Sequence, residues 1–202
     1  MSRLLVATTN AGKLSELRGL LAPLGFELLG LAEVDAIPEA PENGATFAEN
    51  ARSKALHYAR ASGLDTLADD SGLEVSALQG APGVRSARFA GEHAQDSDNN
   101  RLLLERLRGE TDRRARFVCA LCLVENGRPS LEADGVCQGT LLEQARGDGG
   151  FGYDPLFVPD DAPPPARSFA ELTREEKQSL SHRGRALAVL RATLSARGAN
   201  AP

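Results

Sequence analysis

Two long strand-like runs, Arg113 to Val124 and Leu131 to Thr140, stand either side of an Asn126-Gly127 step. Asn-Gly readily supplies the left-handed residues of a tight hairpin turn, so this part of the chain folds back on itself. Upstream the pattern differs. Leu4 to Ala7 is a short apolar run, read as a buried first strand. A polar turn follows, then Leu14, Leu17 and Leu21 at helical spacing, then Phe26 to Gly30 as a second strand beside the first. Helices and strands that alternate first, with a hairpin later, predict an α/β fold built on a mixed sheet. The 202 residues suffice for one large domain or two small lobes that share a core. There is no internal repeat and no long linker.

Thr66-Leu67-Ala68-Asp69-Asp70-Ser71-Gly72 places two adjacent carboxylates and a hydroxyl at the end of an apolar run. Alone, it reads as a strand-ending Asx turn, with Gly72 taking the turn's dihedral. Neighbouring strand side chains point to opposite faces, so one of Asp69 and Asp70 is the chemical residue. The other holds backbone or a neighbouring helix.

Thr8-Thr9-Asn10-Ala11-Gly12-Lys13 joins the first strand to its helix, with Asn10 suited to the N-cap. Free N–H groups and the positive dipole end at a helix start favour anions, and Lys13 adds a point charge. The Walker pattern is missing. Val34 to Gly44 is an acidic, proline-bearing loop that carries Glu42. Thr46-Phe47-Ala48-Glu49 has the capping-box pattern and starts a helix that stops near Ser62-Gly63. Phe47, Ala51, Ala55, Tyr58 and Ala59 form its apolar stripe. Asn50, Lys54 and His57 form a polar face, read by default as solvated.

Further on, Asp96 to Arg108 is helical. Gly147 to Pro155 sets four glycines around Phe151 and Tyr153, two of the nine aromatics. Glycine lets backbone approach a ligand closely, and an exposed ring offers a face to a nucleobase. Pro159 to Arg167 is a proline-rich surface loop. Ser168 and Thr173 each precede a glutamate by three residues and signal helix starts. Ser181 to Gly184 interrupts the second of these helices, and His182-Arg183 at such a start reads as solvated. Residues 198–202 read as a frayed tail.

Composition excludes several classes. Hydrophobic residues at 42% and charged residues at 25% are ordinary for a globular protein. No run resembles a membrane span or a secretory signal, so the expectation is a cytoplasmic protein with no membrane partner. A net charge of −5 leaves no general footprint for nucleic acid. Cys119 and Cys122 have C-x-x-C spacing, but on a strand residues three apart face opposite ways, so they read as buried structural thiols. Three lysines (Lys13, Lys54, Lys177) stand against twenty arginines, and each falls inside one of the segments above. Carboxylates without a histidine cluster favour a hard ion such as Mg²⁺, which takes one or two carboxylates plus substrate phosphates.

Together the segments read as a nucleotide site, and at this point the sequence resembles the inosine/xanthosine triphosphate pyrophosphatase family. The likeness runs from Leu4 to about Leu194, through T-T-N-A-G-K at 8–13, T-F-x-E-N-A-x-x-K-A at 46–55, A-D-D-S-G at 68–72, G-G-F-G-Y-D-P at 149–155 and L-T-R-E-E-K…S-H-R-G at 172–184. Thr9 stands where many relatives have glycine or serine.

The resemblance implies a long mixed sheet with flanking helices, a single domain over 1–202 in two lobes around a central cleft, and a homodimer. It implies Mg²⁺-dependent hydrolysis of ITP, dITP or XTP between the α and β phosphates. By residue, it implies that Thr8, Thr9, Asn10, Ala11, Gly12 and Lys13 bind the triphosphate. Glu42 and Asp70 would hold the metal, with Asp70 also accepting the proton of the attacking water. Ser71 would contact substrate and Lys54 would support the phosphates or the water. Phe151, Gly152, Tyr153, Asp154, Lys177, His182 and Arg183 would bind the nucleotide, chiefly its base. Two other readings stay open: a pyrophosphatase for modified pyrimidine triphosphates, and a non-catalytic nucleotide sensor.

Overall fold

The structure is a computed structural model that describes residues 3–21 and 25–199. Six strands form one mixed sheet in the order β2-β1-β3-β4-β5-β6. The strands are β1 (Arg3–Val6), β2 (Glu27–Gly30), β3 (Asp65–Val75), β4 (Arg114–Glu125), β5 (Arg128–Leu141) and β6 (Phe157–Pro159). The helices are α1 (Ala11–Leu21), α2 (Phe47–Ser62), α3 (Asp96–Arg106), α4 (Arg174–Leu180) and α5 (His182–Ala199). β1 pairs in parallel with β2 (Leu4 opposite Leu28) and with β3 (Val6 opposite Leu67). β6 pairs antiparallel with β5, with Phe157 opposite Leu141. Between β4 and β5, Asn126 and Gly127 have φ of 51° and 73°, the double left-handed step of a primed hairpin turn.

The chain divides into two compact units. One comprises 1–70, 119–135 and 184–202, and the other 71–118 and 136–183. The first unit's core brings together Leu4 and Val6 of β1, Leu17 and Leu21 of α1, Leu67 of β3, Leu121 and Leu123 of β4, and Leu187 and Leu190 of α5. The second unit's core holds Leu73, Val75, Leu103, Phe117, Leu141, Tyr153, Leu156, Phe157 and Phe169. Cys119, Cys122 and Cys137 are all buried thiols, and burial pushes the Cys122 thiol up to about 11. Such a sulfur is poorly disposed to become the thiolate that binds metal.

In β3 the structure overturns a local expectation. β3 does not end in a turn at Asp69-Asp70-Ser71-Gly72 but runs through it without a break. Gly72 is required by crowding, not by a turn dihedral. A Cβ there would stand 2.7 Å from the Gly83 carbonyl oxygen and collide with Ser86 Oγ. That hydroxyl accepts the Leu73 N–H at 2.9 Å and donates to the Gly83 carbonyl at 2.6 Å, which seats the short helical turn Gly83–Arg88 against the strand.

The other signals resolve locally. Thr46 caps α2 by accepting the Glu49 N–H, and Gly63 closes it in a left-handed conformation. The Glu49 carboxylate reaches back to the Ala45 N–H at 2.7 Å, one residue earlier than the usual box. Thr173 and Glu176 form a reciprocal box at the start of α4. α5 continues to Ala199; of the expected tail, 200–202 lie outside the described residues.

Candidate active site

The first group of site residues lies in the first unit, where β1, α1, α2 and β3 supply it. The Thr8–Lys13 turn is held by short side-chain bonds. Thr8 Oγ1 accepts the Asn10 N–H at 3.2 Å, and Asn10 Oδ1 accepts the Lys13 N–H at 2.9 Å. Asn10 is therefore the cap of α1. Thr9, Asn10 and Ala11 are exposed, so the helix start is open to solvent.

One turn into α1, Lys13 Nζ lies 3.3 Å from Asp69 Oδ2. Asp69 is thus the carboxylate that holds a neighbouring helix. Asp70 is turned instead toward α2, where its Oδ2 accepts from Asn50 Nδ2 at 3.0 Å. Lys54, one turn further along α2, ion-pairs with Glu42 and donates to the Asp69 carbonyl at 3.2 Å.

The polar stripe of α2 is therefore not a solvated face. Asn50 is 1% exposed, Lys54 is mostly covered, and His57 lies 2.7 Å from the Pro38 carbonyl oxygen. An acidic loop, the Asp70 carboxylate and the Asp69 carbonyl cover that face, which helical periodicity cannot reveal.

Electrostatics reinforce the geometry. Burial pushes the Asp70 carboxyl above its ordinary value, with Lys13, Lys54 and the Asn50 amide opposing and Glu42 adding to the rise. Burial alone would lower Lys54, but Glu42, Asp69 and Asp70 outweigh it and hold the ammonium above its ordinary value. A cation beside Asp70 would lower its pKa and keep it ionised.

The donor set fits a hard divalent ion. Asp70 and Glu42 interact electrostatically, and both offer carboxylate oxygens. Among the described residues no cluster of three or more His, Cys, Asp or Glu could hold a metal alone. Two carboxylates leave the remaining positions to phosphate and water, as Mg²⁺ prefers.

The second group lies in the second unit. Gly150 and Gly152 have φ of 73° and 62°, which L side chains rarely adopt. Asp154, 2% exposed, accepts the Phe151 N–H at 2.8 Å and Lys177 Nζ at 2.6 Å. The same ammonium lies 4.5 Å from the centre of the Phe151 ring. The Arg183 guanidinium carbon is 5.9 Å from that ring, and Nη2 donates to Ser71 Oγ at 2.9 Å.

Arg183 is 1% exposed and His182 5%, so the expectation of a solvated pair at a helix start fails. His182 stacks on Phe117 with centroids 4.7 Å apart and planes at 11°. Phe151 is half-buried and keeps part of its ring accessible. Tyr153 has no open face: it is 4% exposed, and its hydroxyl donates to the Ser86 carbonyl at 2.8 Å.

Three residues in these networks escaped the sequence reading. Asn50 was visible only as part of a helix face. Asp96 and Asn100 of α3 hold both polar groups of the Gly152 backbone. Asp96 Oδ2 accepts its N–H at 2.6 Å, and Asn100 Nδ2 donates to its carbonyl at 2.9 Å. An aspartate at a helix start reads simply as a dipole partner.

The fold and this geometry define a mixed-sheet α/β protein with a buried acid–lysine centre. The Ham1 family model matches residues 4–193. A protein of Deinococcus radiodurans named dITP/XTP pyrophosphatase is 53% identical over 197 residues, covering 98% of this chain and 94% of that one. One of Exiguobacterium sp. with the same name is 52% identical over 192 residues, 95% of this chain and 96% of the other. A solved HAM1 protein of Coxiella burnetii superposes with a TM-score of 0.85 at 42% identity, covering 96% of this chain and 99% of its own. A solved nucleoside-triphosphatase, dITP/XTP pyrophosphatase, of Mycobacterium abscessus gives a TM-score of 0.74 at 45% identity, with 93% and 98% coverage. The chain belongs to the Ham1 family.

Proposed function

We propose that the chain is a nucleoside triphosphate pyrophosphohydrolase that converts dITP, ITP and XTP to the monophosphate and pyrophosphate. The observation that carries this reading is the Glu42–Lys54–Asp69/Asp70–Lys13 cluster beside the open start of α1. It supplies anion donors, cations and carboxylates suited to a metal together, in a chain about half identical to relatives named dITP/XTP pyrophosphatase.

In this reading the N–H groups at Thr8–Lys13 and the Lys13 and Lys54 ammonium groups bind the phosphates and offset the charge that builds on their oxygens. Glu42 and Asp70 would hold Mg²⁺, which when bound polarises the phosphoryl group and lowers the pKa of water. The Asp70 carboxylate accepts the proton of the attacking water. Phe151 stacks on the base, and Lys177 and Arg183 face its 6-oxo group. Adenine carries a donor at that position, so donor would meet donor and a buried pair would go unsatisfied. His182, stacked on Phe117, would join this group in binding the nucleotide.

Among the described residues no helix is long and apolar enough to cross a membrane. We assign the enzyme to the cytoplasm as a homodimer that takes no nucleic acid, in keeping with its net charge of −5.

Product analysis with Mg²⁺ and a panel of ITP, dITP, XTP, GTP, ATP and dUTP tests the reading. Monophosphate and pyrophosphate from the first three, with little from GTP or ATP, are expected. Orthophosphate release would mean a different cleavage site. Preference for dUTP would favour the pyrimidine reading, and tight ITP binding without turnover the sensor.

A further inference from the structure

We infer that Asn50 is a positioning residue that assigns different tasks to the two oxygens of Asp70. The inference rests on the reading above and concerns a residue that does not itself meet substrate. Asn50 is 1% exposed, and both ends of its amide are committed. Its Oδ1 accepts the Gly44 N–H at 2.7 Å, and its Nδ2 donates to Asp70 Oδ2 at 3.0 Å.

A backbone N–H can only donate, so the first bond fixes which end of the amide is oxygen. The nitrogen must then face Asp70. The carboxylate is held at Oδ2, and among the described residues nothing donates to Oδ1. That oxygen is left for the metal or the water proton.

Gly44 lies two residues after Glu42, so one amide ties the loop of one metal-binding carboxylate to the side chain of the other. Gly44 itself is demanded by this bond. A Cβ there would sit 2.7 Å from Asn50 Oδ1 and 2.8 Å from Glu49 Cβ. Residues that orient metal ligands typically matter 10- to 100-fold for activity or metal affinity, roughly the range expected here.

The test uses the full chain with Mg²⁺ and ITP and four variants: Asn50→Ala, Asn50→Asp, Gly44→Ala and the Gly44→Ala/Asn50→Ala double. Asn50→Asp keeps the acceptor for Gly44 and loses the donor to Asp70. Gly44→Ala changes no charge and reaches Asp70 through the displaced amide. For Asn50→Ala and Asn50→Asp, kcat is expected to fall roughly 10- to 100-fold with KM within about threefold. The double variant should be no slower than Asn50→Ala alone, the non-additivity of a shared route.

Asn50→Asp within about threefold of the parent kcat would overturn the inference, because the amide would then only tie the loop. Additive losses in the double variant would overturn it too. Mn²⁺ binding by electron paramagnetic resonance gives a readout without turnover. Affinity for Mn²⁺ should drop about tenfold in Asn50→Ala while its thermal melt stays cooperative. A parent that fails to hydrolyse ITP would sink the proposed function, yet the Mn²⁺ comparison would still decide the role of Asn50; unchanged Mn²⁺ affinity counts against it.

Discussion

At the scale of single residues, the site depends on side chains whose burial the sequence hides. Asn50, Lys177 and Arg183 are polar or charged, each belongs to a surface-type residue class, and each is 7% exposed or less. Local pattern gives a residue its face but not what covers that face. Strand geometry predicts separate partners for Asp69 and Asp70, and Lys13 meets the first while Asn50 meets the second. Gly72 was misread because glycine has two uses, turn dihedrals and close approach, and only tertiary structure tells them apart. Gly72→Ala should therefore destabilise by about 1–3 kcal/mol, the usual cost of overpacking. The Gly83 carbonyl that a Cβ would meet is backbone and cannot swing aside. Urea denaturation should show a lower midpoint with an unchanged slope. An unshifted midpoint would mean that the Gly83–Arg88 turn yields without loss.

At the scale of elements, the sequence was most legible where a local rule closes on itself. The Asn126-Gly127 hairpin, the Thr46 and Thr173 caps and the Gly63 stop each need only a few residues to specify them. The attachment of α3 to the glycine loop was not legible, because its partners lie 52 and 56 positions apart. Functionally that attachment is the more informative. Asp96 and Asn100 grip the N–H and the carbonyl of Gly152, the residue after Phe151, and so fix the backbone that presents the ring. With both bonds removed in Asp96→Ala/Asn100→Ala, the KM for ITP should rise about tenfold, at roughly 1 kcal/mol per bond with partial compensation by water. The change in kcat should stay within about threefold, since neither residue belongs to the acid–lysine group. Steady-state kinetics check this, and a fall in kcat with KM unchanged would refute a base-positioning role for α3.

For the whole molecule, the question is whether the fold depends on the metal that the proposed reaction would use. Each unit has an apolar core of its own, built from protein side chains. The cysteines are buried thiols, and no cluster of three or more ligand-type residues occurs among the described residues. A structural metal would need such a closed set of ligands. Two carboxylates bind Mg²⁺ weakly without phosphate, so at metal concentrations near Kd the stabilisation is below about 1 kcal/mol. For a chain of this size that is a shift of roughly 2–4 °C in Tm at most. Chelation with EDTA should therefore abolish turnover of ITP while the thermal melt stays cooperative and moves by no more than that. Adding Mg²⁺ together with a non-hydrolysable ITP analogue at about 100 times its Kd should raise stability by about 2.7 kcal/mol, because phosphate completes the coordination. Calorimetry on the same preparation reads both. Loss of the folding transition on chelation alone would make the metal structural, and the two-carboxylate account of the site would fall with it.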